Sequence, residues 1–190
     1  MSDQDRGMTL RVMKLLRDAG WYHTLHDLEK ETSVFFDIDY FGDLVMAGDL
    51  KEAESYVSCF TSLEDNENST KMFYRMRKHK YFEALQRRDF SEAIRICFKE
   101  LKVFSRFDKK IFQRLVSLLT LEDFRQHQEL RNYGCAESKR REISLQLKES
   151  IVNNVAFKDK LDFPSGDSLA ANPFMQRTPE TSAETEAFGP

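Results

Sequence analysis

The chain has 190 residues, 16 of them phenylalanine, and a formal net charge of −3. This length fits one domain with a sizeable core plus a tail, and the small net charge gives no global field that would favour nucleic acid or a membrane. The three cysteines, Cys59, Cys97 and Cys135, are odd in number and far apart, which argues against disulfides. Since the sequence has no apolar leader and no run of about 18 apolar residues, it predicts an intracellular, soluble protein.

The first 32 residues predict a helical hairpin. Thr9 is expected to cap a helix over residues 10–18, Gly20 ends it, and a second helix covers residues 21–32. Helices this short are marginal alone, so they should pair with other helices or with a second copy. The order of residues 12–31 resembles the LisH motif, a dimerising hairpin, although Arg11 departs from it. The self-association residues expected on this basis are Leu15, Leu16, Trp21, Leu25 and Leu28.

An internal repeat follows the hairpin. Phe41, Val45, Asp49-Leu50 and Glu52-Ala53 recur 40 residues later as Tyr81, Leu85, Asp89-Phe90 and Glu92-Ala93. The pattern predicts two helix–turn–helix units, in which an aspartate caps each second helix and an alanine allows close helix approach.

The second unit lies in residues 71–104, the segment around which the chain is organised. Its first helix carries aromatic and basic residues, and residues 71–102 contain ten basic against four acidic side chains. Its second helix, predicted over residues 90–104, carries an apolar stripe that should be buried. The stripe consists of Phe90, Ala93, Ile94, Cys97, Leu101 and Phe104. Basic charge beside aromatic surface predicts a site for a ligand with apolar anchors and acidic flanks.

The remaining boundaries follow from caps and composition. Ser69 or Thr70 should cap the first helix of the central segment, and Asp108 should cap a helix that contains Ile111. Thr120 is expected to cap a helix over residues 121–131, and a last helix should cover about 136–153. Residues 165–190 are rich in Ser, Thr, Pro and Glu, which is typical of a disordered tail.

The sequence does not favour catalysis or a metal site. His23 and His26 share a helix face, but no cysteine or carboxylate completes a ligand set, so surface histidines are the preferred interpretation. No phosphate loop, nucleophile elbow or zinc-protease motif is present, and no cofactor is expected. Arg87 and Arg88, with neighbouring aromatic residues, could follow a nucleic-acid backbone, yet the acidic overall balance disfavours that alternative.

Several unusual strings, among them KYFEAL, LKVFS and LLTLE, resemble the N-terminal region of the plant TOPLESS (Groucho-like) corepressors over about residues 10–164. The resemblance implies an all-α stack of about nine short helices. Its modules are a LisH hairpin at 4–33, CTLH hairpins at 34–92 and a CRA-like closure at 93–164. It further implies a nuclear, non-enzymatic adaptor that forms dimers or tetramers and binds L-x-L-x-L repression motifs of transcription factors. The peptide-binding residues so implied are Lys71, Tyr74, Lys78, Phe104, Ile111 and Leu130.

The sequence departs from the family at the groove. Glu67 reverses a charge, Tyr74 and Ile111 approximately preserve volume, and Ser150 is expected to remove an apolar wall. The chain also lacks the family's propellers, so it is expected to capture peptides and to associate with itself or with full-length relatives. The alternative is a scaffold subunit of a LisH–CTLH ubiquitin ligase, which uses the same modules.

Overall fold

In the computed structural model, residues 2–127, 130–131 and 133–163 are described, and all regular structure within them is helical. The α-helices are α1 (Asp3–Asp18), α2 (Tyr22–Thr32), α3 (Ile38–Ala47), α4 (Leu50–Ser58), α5 (Glu67–Gln86), α6 (Phe90–Arg95), α7 (Lys109–Leu118) and α8 (Ala136–Val152). The predicted all-α fold is confirmed, while the predicted tail lies outside the described residues. None of these helices is both long and apolar enough to cross a membrane.

The first helix begins earlier than predicted because Ser2 and Asp5 form a capping box. The Ser2 hydroxyl accepts a hydrogen bond from the Asp5 amide at 3.1 Å, and the Asp5 carboxylate accepts one from the Ser2 amide at 3.2 Å. Thr9 lies inside the helix, where its hydroxyl donates to the Asp5 carbonyl at 2.9 Å. The predicted cap at Thr9 is therefore wrong.

A small core joins the α1–α2 hairpin to the end of the described chain. Its buried members are Leu10, Met13, Leu25, Val34 and Phe35, with Leu16, Leu28 and Phe163 packed against them. The Phe163 ring meets Phe35 edge-on with centroids 4.7 Å apart, and the Arg17 guanidinium carbon lies 4.1 Å from the Phe163 ring centre. The last described residues are thus anchored on the first hairpin.

A buried polar cluster connects the hairpin to the main body. The Glu29 side chain is fully buried, and its Oε2 accepts a hydrogen bond from the Tyr56 hydroxyl at 2.7 Å and lies 2.8 Å from His26 Nδ1. The Tyr56 hydroxyl also accepts from the Asp37 amide at 2.8 Å. The His26 ring stacks on Tyr40 at 3.5 Å, so the predicted surface position of this histidine is wrong. A buried carboxylate needs such partners, since leaving it unpaired is costly.

The 40-residue repeat is visible in the two turns. Gly48 and Arg88 both adopt left-handed backbone, with φ of +85° and +57°. The amide of the following aspartate donates to the carbonyl five residues before it, at 2.9 Å in both units. Asp49 and Asp89 then each cap the next helix by accepting from the amide three residues later, at 3.2 and 3.0 Å. Two different sequences therefore form the same turn.

The longest helix, α5, begins one turn earlier than predicted. The Asn66 side chain caps it by accepting from the Ser69 amide at 2.9 Å. Ser69 and Thr70, the predicted caps, lie in its first turn. The buried Ser69 hydroxyl accepts instead from the Asn154 side-chain amide at 2.9 Å, which ties the start of α5 to the segment after α8.

The second helix of the central segment is not continuous. After α6 the chain forms a π-helical turn (Ile96–Leu101) and then a 3₁₀ turn (Lys102–Arg106). The predicted apolar stripe divides already within α6, where Ala93 is buried but Phe90 and Ile94 face outward. Its buried members are Ala93, Cys97, Leu101 and Phe104. Phe90 and Ile94, predicted to be buried, are 39 % and 48 % exposed.

The helix predicted over residues 121–131 is wrong. The Thr120 hydroxyl donates back to the Ser117 carbonyl at 2.8 Å, at the end of α7, and therefore does not start a new helix. Asp123 caps only a short 3₁₀ turn, Phe124–Gln126. Phe124 is buried and its ring stacks on Phe82 with centroids 5.9 Å apart. This aromatic contact attaches the segment to the core without a longer helix.

The last helix, α8, closes the fold by packing across α3 and α5. Leu147 and Ile151 are fully buried in it. The Arg140 guanidinium donates to the Ala47 carbonyl at 3.2 Å and to Glu83 at 2.6 Å. Buried residues from position 36 to position 157 form one cluster, so the segments 34–92 and 93–164 share a single core.

Arg88 offers a direct test of the turn geometry. We expect Arg88→Gly to raise the free energy of unfolding by about 0.5–1 kcal/mol, because glycine adopts left-handed backbone without the steric penalty of a Cβ. Arg87→Gly is the matched control, since Arg87 is also exposed but right-handed with φ −77°, and it should lower stability. Urea unfolding of both variants measures the difference, and a destabilised Arg88→Gly would contradict the account.

Candidate functional site

A large surface cavity, the main cavity, lies between α5 and the segment that leads into α7. Its volume is about 800 Å³. The Tyr74 ring meets Phe104 edge-on with centroids 5.2 Å apart, and Ile111 continues the apolar surface. Phe107, 60 % exposed, lies at the rim. The other lining residues are Glu64, Asn66, Glu67, Thr70, Lys71 and Arg106. A cavity of this size with apolar walls and a charged rim suits apolar side chains of a ligand.

Phe104 lies in the 3₁₀ turn that directly follows the π-helical turn. Arg77 on α5 binds the π-helical turn through its backbone. The Arg77 guanidinium donates to the Glu100 carbonyl at 3.0 Å and to the Glu54 carboxylate at 2.7 Å. Its central carbon lies 5.8 Å from the Phe104 ring centre. A partly buried cation therefore holds the backbone just before Phe104 in place.

Two smaller cavities extend the first one along α5. A cavity of about 60 Å³ shares Tyr74 and Ile111 with the main cavity, and a cavity of about 310 Å³ shares Lys78, Phe82 and Leu130 with the 60 Å³ one. The Lys78 ammonium lies 5.7 and 5.4 Å from the ring centres of Tyr74 and Phe82. The three cavities together form one trench, which we call the α5 groove.

The six residues predicted for peptide binding all line the α5 groove. Lys71, Tyr74, Phe104 and Ile111 line the main cavity, and Lys78 and Leu130 line both smaller cavities. The sequence interpretation missed Phe107 and Arg106 at the rim. The sequence did offer one signal for these two rim residues. They follow Phe104 by three residues or fewer, in the predicted turn before α7.

The predicted self-association residues lie in different environments. Leu15 and Trp21 are 69 % and 64 % exposed. Leu16 and Leu28 are partly buried, and Leu25 is fully buried in the small core of the hairpin. Leu15 belongs to an exposed apolar row on α1 with Met8 and Val12, to which Trp21 and Tyr22 add.

The charges at the main cavity are paired within the chain. Lys71 and Glu67 lie 2.6 Å apart on α5, and the hydrogen bond from Lys71 lowers the pKa of the Glu67 carboxyl. Arg106 reaches Glu64 at 2.7 Å and lies 4.9 Å from the Phe107 ring centre. These four side chains are exposed and carry no net charge together.

Position 150 is not part of the groove wall, so the expectation that Ser150 removes an apolar wall does not apply. Its hydroxyl accepts a hydrogen bond from Arg75 at 2.6 Å and donates to the Gln146 carbonyl at 2.8 Å. It lines none of the three cavities of the α5 groove. The serine instead holds Arg75, which does line the groove.

A buried charge cluster lies beneath the groove between α5 and α8. Burial alone would raise the pKa of the Glu83 carboxyl, but the neighbouring His79 and Arg140 outweigh it and lower that pKa to about 2. Arg140 donates to Glu83 at 2.6 Å, and the His79 ring lies 3.1 Å from the Tyr133 hydroxyl. His79, like His26, is buried.

One group of three possible metal ligands occurs among the described residues. Atoms of His26, Glu29 and Asp37 lie within 4.8 Å of one another. Hydrogen bonds account for their arrangement: His26 contacts Glu29 directly, and Asp37 caps α3 by accepting from the amides of Asp39 and Tyr40. We therefore treat this cluster as structural.

Much of the basic charge in residues 71–102 is neutralised by carboxylates. Arg77 and Lys80 share Glu54 at 2.7 and 2.8 Å, and Lys80 also reaches Glu100 at 2.6 Å. Arg87 lies 3.8 Å from Glu83. Cations that are paired inside the chain release fewer counterions on binding phosphate, which disfavours the nucleic-acid alternative.

Comparison with known proteins agrees with this architecture. The family model of the TPR1-like, CTLH-containing domain matches residues 37–161. The chain belongs to this family. The match spans α3 to α8 and includes all three cavities of the α5 groove. The sequence-based assignment to the TOPLESS-like family is confirmed.

The chain is also similar to TOPLESS and TOPLESS-related proteins. It is 42 % identical over 164 residues to Protein TOPLESS-RELATED PROTEIN 2 of Oryza sativa subsp. japonica. It is 42 % identical over 165 residues to Topless-related protein 4 and 41 % identical over 165 residues to Protein TOPLESS, both of Arabidopsis thaliana. These alignments cover 86–87 % of the chain but only 14–15 % of the relatives.

Glu83 predicts a pH dependence of stability. The carboxyl has a pKa of 4.5 in its ordinary state and about 2 in the fold, so its stabilisation is complete above about pH 4.5 and is lost as the pH falls towards 2. The difference corresponds to about 3 kcal/mol. Glu83→Gln should therefore lower the free energy of unfolding most at neutral pH.

The measurement is urea unfolding of wild type and Glu83→Gln from about pH 7 to about pH 3. The difference between the free energies of unfolding of the two proteins should become smaller below about pH 4.5. Glu137→Gln, at an exposed carboxylate on α8, is the control and should show a small gap at every pH. A Glu83→Gln gap that is constant or that widens in acid would contradict the assignment.

Proposed function

We propose that the chain is a non-enzymatic, corepressor-type adaptor that binds short L-x-L-x-L motifs of transcription factors in the α5 groove. The observation that carries the proposal is the main cavity, whose walls are Tyr74, Phe104 and Ile111 and whose rim is charged. Membership of the TPR1-like, CTLH-containing family and similarity to TOPLESS relatives support it. A nuclear location follows from this role.

The chemistry of the groove fits an extended peptide with alternate leucines. In an extended strand, every second side chain points to the same side, so three leucines can enter the groove together. Lys71 and Lys78 are seven residues apart and lie on one face of α5. Their ammonium groups can donate to peptide carbonyls, which the alternating side chains leave exposed at the groove edge.

Self-association is proposed through the exposed apolar row of the first hairpin. Met8, Val12 and Leu15 repeat at helical spacing on α1, and Trp21 and Tyr22 extend the surface. Such a patch on a small chain favours association with another copy or with a full-length relative that carries the same hairpin. Leu25 is buried in the small core of the hairpin and would pack beneath this surface.

Peptide binding is tested by titrating an L-x-L-x-L peptide and its all-alanine version into the protein. We expect binding of the first only. Phe107→Ala should weaken it about tenfold, because the exposed ring loses contact with the ligand without loss of the core. Phe98→Ala, at an exposed phenylalanine that lines none of the three cavities, is the matched control and should bind normally.

Two outcomes would contradict the proposal. Equal absence of binding for both peptides would remove the groove function and favour the ligase-scaffold alternative. Equal loss for Phe107→Ala and Phe98→Ala would show that binding occurs elsewhere. Circular dichroism of both variants confirms that the helices are retained.

Self-association is tested by replacing Leu15 with glutamate. A charge in an apolar interface is costly, so Leu15→Glu should lower the solution mass measured by sedimentation equilibrium. Leu145→Glu is the matched control, because Leu145 on α8 is exposed to a similar degree, 66 % against 69 %. An unchanged mass for Leu15→Glu, or an equal fall for both variants, would contradict the proposed surface.

A further inference from the structure

We propose that the Tyr74 hydroxyl binds the backbone of the peptide ligand by a hydrogen bond, at the point where the ligand passes from one cavity of the α5 groove to the next. The inference rests on the proposed function, because it concerns how the groove recognises its peptide. It is carried by one polar atom in an apolar wall. The hydroxyl of Tyr74 has no hydrogen-bond partner among the described residues.

Two other tyrosines show how the fold treats a hydroxyl that it covers. Tyr56 and Tyr81 are both fully buried. The Tyr56 hydroxyl donates to the Glu29 carboxylate, and the Tyr81 hydroxyl donates to the Leu115 carbonyl, each at 2.7 Å. Such partners are the rule for tyrosines inside a protein, because an unpaired polar group is costly in an apolar environment.

Tyr74 differs from both of these tyrosines. Its ring is partly buried and meets Phe104 edge-on with centroids 5.2 Å apart, but its oxygen remains accessible to solvent. Burial raises the pKa of the Tyr74 hydroxyl above its ordinary value, so the group keeps its proton at neutral pH and can donate. Water can serve this hydroxyl in the free protein. A ligand that covers it must replace that hydrogen bond or lose affinity.

Tyr74 lies at the boundary between two cavities of the groove. It lines both the main cavity, of about 800 Å³, and the neighbouring cavity of about 60 Å³. A ligand with apolar side chains in both cavities must cross Tyr74 with the stretch of backbone that joins those side chains. The group that meets the hydroxyl there is therefore an amide of the main chain.

An extended ligand can satisfy this hydroxyl, whereas a helical one cannot. An extended peptide has backbone carbonyls and amides that are free to bind protein groups. In an α-helix the same groups bond to one another along the helix, except at its ends. A helix laid across Tyr74 would cover the hydroxyl without offering it a partner. The position of the hydroxyl therefore suits the extended L-x-L-x-L ligand of the proposed function.

The experiment is a double-mutant cycle between the Tyr74 hydroxyl and the peptide backbone. Tyr74→Phe removes only the hydroxyl. It should weaken binding of the L-x-L-x-L peptide about three- to tenfold, the effect of losing one neutral hydrogen bond. Four further peptides each carry one ester in place of one of the four amide bonds that join the core residues. An ester lacks the amide N–H, and its carbonyl is a weaker acceptor. Calorimetric titration gives the affinity of each pair.

One of the four esters should remove most of the difference between wild type and Tyr74→Phe, because that ester has already weakened the hydrogen bond. The other three should preserve the difference, so the position of the effective ester identifies the backbone group over Tyr74.

Tyr40→Phe is the matched control. The Tyr40 ring is also partly buried, and its hydroxyl has no hydrogen-bond partner among the described residues, but Tyr40 lines none of the three cavities. This variant should bind every peptide as wild type does. Urea unfolding of Tyr74→Phe should match that of wild type, because no hydrogen bond within the described chain is lost.

The outcomes separate the two proposals. If no peptide binds wild type, the proposed function fails and the hydrogen bond fails with it. If the all-amide peptide binds Tyr74→Phe as tightly as wild type, or more tightly, the function stands and the inference is overturned. A difference that persists unchanged with all four esters would place the effect in the shape of the wall, which also overturns it. Equal weakening by Tyr74→Phe and Tyr40→Phe would overturn it as well, since Tyr40 lies outside the groove.

Discussion

The fold depends on the burial of α5 on nearly all of its sides. This helix packs against α4, α6, the π-helical turn and α8, and its buried residues point in every direction around the axis. Polar residues on its hidden faces are satisfied by carboxylates and backbone carbonyls from other helices, as Arg77 is by Glu54 and Glu100. The strip that stays uncovered carries Lys71, Tyr74 and Lys78. The α5 groove therefore lies along the one strip of α5 that the core does not cover.

The same packing changes how much of the positive charge of residues 71–102 reaches the surface. Along the sequence, residues 71–102 show an excess of cations, but several of these cations form ion pairs within the fold. Glu54, which neutralises two of them, lies before the segment, and Ser150, which binds Arg75, lies far after it. The electrostatic character of the groove is consequently set by pairings between distant parts of the chain. Charge counted along the sequence overstates the field at the surface.

Local patterns predicted much of the fold, whereas contacts between distant residues determined what the patterns missed. Aspartate caps at positions 49, 89 and 108 and the 40-residue repeat are local signals, and the helices begin where those signals predict. Thr120 and Ser69 looked like caps too, but the Thr120 hydroxyl donates back to the Ser117 carbonyl at the end of α7, and the Ser69 hydroxyl accepts from the distant Asn154 side chain. His26 and His79 are buried against aromatic residues from other segments: Tyr40 stacks on His26, and the Tyr133 hydroxyl lies 3.1 Å from His79, contacts that spacing cannot reveal. For the site, helical periodicity on α5 indicated the lysine and tyrosine face, while Phe107 and the Ser150 contact required three-dimensional placement.

The anchoring of Phe163 against Phe35 and Arg17 sets where the rest of the chain leaves the domain. Whatever follows residue 163 departs beside the α1–α2 hairpin, whose outer row is exposed. In the proposed assembly through that row, the Phe163 contact would therefore fix, in each subunit, the point at which the described chain ends beside its hairpin.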